Sequence, residues 1–91
     1  MNNRKILSTV DLEEGGVAKV YQLKGRDVRE LIRMSKDLTS ADLLEMAALK
    51  STLIDDKALT MDILDDLSAV DYFAILKAQD ANFIVMSPAA T

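Results

Sequence analysis

Residues Ser68–Val85, SAVDYFAILKAQDANFIV, decide the fold of this 91-residue chain. The stretch contains no Gly or Pro, and it opens on Ser68 with Asp71 three residues on, an S-x-x-D pattern that satisfies free N–H groups at a helix start. At about 100° per residue, Tyr72, Phe73, Leu76, Phe83 and Ile84 fall in one sector. A neighbouring sector holds small side chains: Val70, Ala74, Ala78, Ala81 and Val85. Asp71, Gln79 and Asn82 gather on what remains, while Lys77 and Asp80 break into the apolar side. A helix with a bulky apolar face beside a small-residue face can be gripped from two sides. The plain reading is the core helix of a small domain; the sharper one is that the Ala face, or part of the aromatic face, receives another chain.

Upstream, Lys5–Val10 (KILSTV) and Val17–Leu23 (VAKVYQL) are short and β-rich, joined by DLEEGG, whose Gly15 and Gly16 can take the positive φ of a tight connection. Val20 stands out of phase with Val17, Tyr21 and Leu23, so the alternation leaves the inner face of this hairpin open. A lone hairpin is marginal in water and must lie on helices. The first helix is expected over about 27–38, with Asp27 as N-cap and Glu30 three residues later. Val28, Leu31, Ile32 and Ser35 share one face of it, and Arg26, Arg29, Arg33 and Lys36 form a basic stripe on the other. The second is expected over about 41–53, capped by Thr39-Ser40 with Asp42. Its broad apolar face comprises Leu43, Leu44, Met46, Ala47, Leu49, Leu53 and Ile54. Asp55-Asp56 marks a break, since carboxylates are unfavourable at a helix C-terminus. A short helix over 60–66 follows, capped by Thr60, with Met61, Ile63, Leu64 and Leu67 apolar, and the last spans 69–85. Ser87–Thr91 holds the only Pro and reads as a flexible tail. The fold class is therefore α+β and mostly helical. A hairpin over 5–23 precedes three to four helices packed in a small bundle, in one small domain over 1–86.

Composition excludes most chemistry. The chain has neither Cys nor His, which removes the commonest thiol nucleophile, the commonest general base and most zinc sites. Asp55-Asp56 and Asp62, Asp65 and Asp66 lack the ordered spacing of a calcium loop. Gly15-Gly16 and Gly25 are not in a phosphate-loop context. The chain reads as a non-enzyme with no cofactor, metal or catalytic residues. Asp65-Asp66-Leu67-Ser68 brings acyl carrier proteins to mind, but there the Ser precedes the Leu, and a hairpin has no place in that fold. The net charge of −4 argues against nucleic acid as a partner. No apolar run is long enough for a membrane span, and the N-terminus lacks the long apolar region of a signal peptide, so a reducing cytoplasm is expected. The charge is uneven: Lys19 to Lys36 carries six bases against two acids, and Asp55 to Asp71 six acids against one base. Such a split can be settled within one fold or between neighbouring chains.

Two segments carry a resemblance. Leu23-Lys24-Gly25-Arg26-Asp27-Val28-Arg29-Glu30-Leu31 resembles the strand-to-helix junction of phage tail assembly chaperones of the Mu-like and siphophage group. Leu67 to Leu76, LSAVDYFAIL, is similar to that family's Leu-x-x-x-Asp-Tyr-x-x-Leu signature, followed by a closing Phe at Phe83. Thr60–Leu67 resembles the short helix before it. The chain departs at Gly25, where Pro is usual, and in having no Pro in the hairpin. The resemblance implies a non-enzymatic chaperone acting in the bacterial host cytoplasm. It would coat the tape measure protein, with tail tube subunits as a further partner, until the tube polymerises. Binding would place a client helix in a groove, with Met34, Met46 and Met61 as adaptable contacts. The candidate partner-binding residues are Tyr72, Phe73, Leu76, Phe83, Ala74, Ala78, Arg29 and Arg33. The alternative is a small homo-oligomeric structural or adaptor protein whose acidic and basic faces meet between subunits.

Overall fold

A computed structural model describes residues 4–34, 36 and 39–83, with Ser40 described in its backbone alone. The expectations for Ser35 and Leu38, and for the chain from Ile84 through the tail, lie outside those residues. The described chain is 54% helical and 21% strand, α+β and mostly helical. In order it forms β1 (Ile6–Asp11), β2 (Val17–Tyr21), α1 (Gly25–Met34), α2 (Ser40–Ser51), β3 (Thr52–Ile54), β4 (Lys57–Ala58), α3 (Met61–Asp66), α4 (Ala69–Ala78) and a 3-10 turn (Gln79–Asn82).

The hairpin forms as the sequence suggests. Gly15 and Gly16 both take φ of +98°, a region L side chains enter only at a cost. They bring Leu12 N–H to 3.0 Å from the Gly16 carbonyl. A bulge leaves Leu7 unpaired between the Ile6–Tyr21 and Ser8–Val20 pairs. The ambiguity over which face is inside resolves in favour of Val20: Ala18 and Val20 are fully buried beneath the helices, and Val17, Lys19 and Tyr21 lie on the other face, half-buried.

The hairpin is not alone. The sheet has four antiparallel strands in the order β1-β2-β3-β4, so the second helix expected to run through Leu53 in fact stops at Ser51. Thr52, Leu53 and Ile54 pair with Val20, Lys19 and Ala18. The helical spacing of Leu49 and Leu53 competes here with three residues of good strand propensity, and the open edge of β2 decides. Asp55 and Asp56 then make a two-residue turn with φ of +50° and +68°, the handedness that matches strand twist. Asp55 also locks this hairpin to the first. Its backbone N–H donates to the Val17 carbonyl at 3.0 Å, and its Oδ1 accepts the Val17 N–H at 3.0 Å.

Three of the expected caps are in place. Thr39 and Asp42 form a reciprocal capping box on α2, Thr60 Oγ1 accepts from Ile63 N–H on α3, and Ser68 Oγ accepts from Asp71 N–H on α4. The first helix differs. It begins at Gly25, so Asp27 is its third residue and not its N-cap. The Asp27 carboxylate reaches back to accept Lys24 N–H at 3.0 Å and pairs with Arg4 at 3.1 Å. On α1 Leu31 is buried, but Ile32, expected beside it, is 60% exposed.

The helices divide the interior in two. Leu23, Leu31 and Ala47 centre one cluster, with Val28, Met34, Leu43, Met46 and Phe83 against it. Ala18, Ala48, Leu59, Leu64 and Ile75 centre the other, beneath the sheet. Adjacent alanines on α2, Ala47 and Ala48, thus face different clusters, and their small size lets α1 and α4 approach α2 from either side. Gly16 has no space for a side chain: an added Cβ would stand 2.8 Å from Asp55 Oδ2. Gly16→Ala is expected to destabilise by more than about 1 kcal/mol. It should also cost more than Gly15→Ala, where the methyl meets open space and only the positive φ is penalised. Thermal midpoints of the two variants check this; equal losses would remove the Asp55 contact from the account.

Candidate functional site

The sequence groups Asp71, Gln79 and Asn82 on one side of α4 and leaves open which of its faces is core. The polar stripe is the buried one. Asp71 is 2% exposed and Gln79 fully enclosed. With Ile75 between them and Asn82 beyond, they follow the i, i+4, i+8, i+11 spacing of one helix face. The Asp71 carboxylate accepts the Glu13 N–H at 2.7 Å and the Glu14 N–H at 3.4 Å, closing the loop between β1 and β2 onto the helix. Glu14 answers by accepting Ser68 N–H at 2.8 Å. The return half of the capping box thus comes from the loop, and Asp71 caps that loop and not its own helix. Gln79 accepts from Ser51 Oγ at 2.6 Å and donates to Thr52 Oγ1 and the Ile75 carbonyl, sealing the α2–β3 junction. Asn82 accepts Leu23 N–H at 2.6 Å and donates to the Tyr21 carbonyl, holding the end of β2. No buried side-chain polar atom among the described residues lacks a partner.

With that face committed inward, part of the apolar face remains outside. Phe73 is 65% and Val70 63% exposed, one turn apart on α4. The other candidate contacts scatter. Leu76 is buried and belongs to the interior, and Phe83, half-buried, packs against the Leu23–Leu31–Ala47 cluster. Ala74 and Ala78 are half-buried, and Arg29 and Arg33 are exposed on α1. Met34 and Met46 pack in the cluster with Phe83, and of the three methionines only Met61 is exposed. Tyr72 meets Phe73 edge-on, with ring centroids 5.3 Å apart at 80°, and its hydroxyl donates to Glu45 on α2. That bond, then burial, then the charges of Glu45 and Asp42, hold the phenol above its ordinary pKa of 10.0.

A second feature was not legible beforehand. An open groove of about 610 Å³ runs between the first hairpin and α1. Leu7, Leu23, Val28 and Ile32 supply its apolar lining, and its charged lining residues, Lys5 and Arg29, are both cationic. Ala81 and Asn82 close it at the C-terminal end of the α4 segment. Nearby carboxylates are engaged elsewhere: Asp27 with Arg4 at 3.1 Å and Glu30 with Lys50 at 2.8 Å. Among the described residues, the exposed Val70–Phe73 pair and this groove are two surface features open to a partner. Among the described residues no cluster of three or more acids is placed to hold a metal ion, and no helix is long and apolar enough to cross a membrane.

No protein family, curated protein or solved structure matches this chain.

Removing the Asp71 carboxylate strips two backbone donors of a charged acceptor. Asp71→Ala is expected to cost about 2–3 kcal/mol, against about 1 kcal/mol for the N-cap change Ser68→Ala, as read by urea denaturation. The reverse order would return Asp71 to an ordinary capping role. For Tyr72 the raised pKa means that folding favours the protonated phenol. Its contribution is fully present below the unfolded-state value and is lost as pH rises through the higher folded-state value. The wild type should therefore lose stability above about pH 10 more steeply than Tyr72→Phe. Parallel stability curves for the two proteins would remove the Tyr72–Glu45 bond from that balance.

Proposed function

We propose that this chain is a non-enzymatic phage tail assembly chaperone that binds the tape measure protein during tail morphogenesis, with tail tube subunits as a further partner. The observation that carries the reading is the Val70–Phe73 pair, 63% and 65% exposed on a helix whose other face is fully engaged. A domain of this size has little apolar surface to spare, yet here an aromatic ring and a branched aliphatic side chain face water one helical turn apart. A long helical client presents apolar stripes that would aggregate, and many small acidic copies can cover them and keep the complex dispersed.

The resemblance gives the reading its client. Within the signature-like segment, Asp71 holds the hairpin loop, Tyr72 reaches Glu45 and Leu76 is buried. These residues set the pose of α4, and Phe73 between them is left to meet a partner. The proposal places the protein in the bacterial host cytoplasm, where tails assemble, and assigns it no catalytic residue or cofactor.

Co-expression with a phage tail tape measure protein tests the proposal. The client is expected in the soluble fraction with this chain present and in the pellet without it. Phe73→Ser, at an exposed position, should keep its thermal midpoint and lose most of that protection. A client equally soluble on its own would overturn the reading.

A further inference from the structure

The exposed pair on α4 and the groove beside α1 are both apolar, and the charged residues near them differ in sign. We propose that copies of this chain associate head to tail, with Val70 and Phe73 of one copy seated in the groove of the next. The knob side is acidic. Asp65 and Asp66, both exposed, end α3 two residues before α4, and Glu13, also exposed, is held against the first turn of α4 through the Asp71 carboxylate. Lys77 follows Phe73 by one turn. Among the described residues none of those three acids has a cationic partner. The groove side is basic. Lys5 and Arg29 line it, Arg33 and Lys36 continue the stripe along the same exposed surface, and the acids of α1 are taken by Arg4 and Lys50. Among the described residues no ion pair joins the basic stretch 19–36 to the acidic stretch 55–71, so the charge split is not settled inside the fold.

The knob cannot fill the groove of its own copy. Val70 and Phe73 stand near the start of α4, and Ala81 and Asn82 close the groove beyond its end. About ten residues of helix separate them, roughly 15 Å at 1.5 Å per residue. Two different patches on one molecule make a heterologous contact, which propagates into open chains or closes into rings. Seating the pair removes apolar surface from water, and the opposed charges align the copies in a salt-dependent way. The inference stands whether or not the client reading holds. If both hold, a client helix and the next copy compete for Phe73.

Sedimentation velocity of the full chain, with no client present, is the test. Between about 1 μM and 1 mM the weight-average mass is expected to rise with concentration, and to rise less at about 1 M salt, where the screening length falls to roughly 3 Å. Phe73→Asp removes the knob, and Arg29→Glu or Ile32→Glu spoils the groove; each should be monomeric with an unchanged circular dichroism spectrum. The decisive result comes from mixing. Phe73→Asp keeps a working groove and Arg29→Glu a working knob, so an equimolar mixture should give one-to-one dimers and nothing larger. A wild type that is monomeric throughout would overturn the proposal and leave the α4 face to a client alone. Variants that associate as the wild type does, or a mixture that stays monomeric, would overturn it equally. Because no client enters this assay, its failure leaves the co-expression result untouched, and the converse holds.

Discussion

The fold depends on a carboxylate buried under a loop. Asp71, 2% exposed, would be costly there as an isolated charge. Two backbone N–H groups of the β1–β2 loop converge on it, and the same loop returns Glu14 to the first amide of the helix segment. A loop that would otherwise be solvated thereby becomes the lid of the sheet-side core. The exchange is reciprocal: the loop satisfies the helix start and the helix satisfies the loop. Gln79 and Asn82 repeat the device further along, at the α2–β3 junction and at the end of β2. A single polar stripe on α4 thus sets the orientation of that helix on the sheet, and with it which apolar residues are left outside.

Much of this architecture was legible locally. The N-caps at Thr39, Thr60 and Ser68 were readable because the capping oxygen and its amide lie within three residues of each other. The first hairpin was readable from Gly15-Gly16 between β-rich runs. What escaped was non-local. Thr52–Ile54 became a strand because of β2, 32 residues away by the Val20–Thr52 pair, and no helical periodicity within α2 could announce that. Asp27 has the composition of an N-cap, but the helix starts two residues earlier and uses it as an acceptor reaching back.

The inward turn of the polar residues of α4 is the more instructive case. Amphipathic reasoning assigns polar residues to water, and it holds when nothing inside can partner them. Asp71, Gln79 and Asn82 share one stripe with Ile75, and a polar stripe threaded by Ile is the signal that points it inward. Of the candidate site, Phe73 and the arginines of α1 lie at the surface, Leu76 is buried and Phe83 half-buried, a division between core and surface that the sequence left open, and the groove beside α1 went unforeseen. Grooves arise from the gap between two elements, and one-dimensional patterns carry little about gaps.

The bulge at Leu7 has a consequence for how the protein behaves when crowded. β1 is the longer of the two outer strands of the sheet, β4 being only two residues, and its backbone would offer any passing extended segment a template for growth. The extra residue breaks the regular spacing of hydrogen-bonding groups near the start of that strand and twists it locally. A molecule that keeps sticky side chains outside on a helix has thereby spoiled the backbone edge that would turn stickiness into amyloid-like stacking.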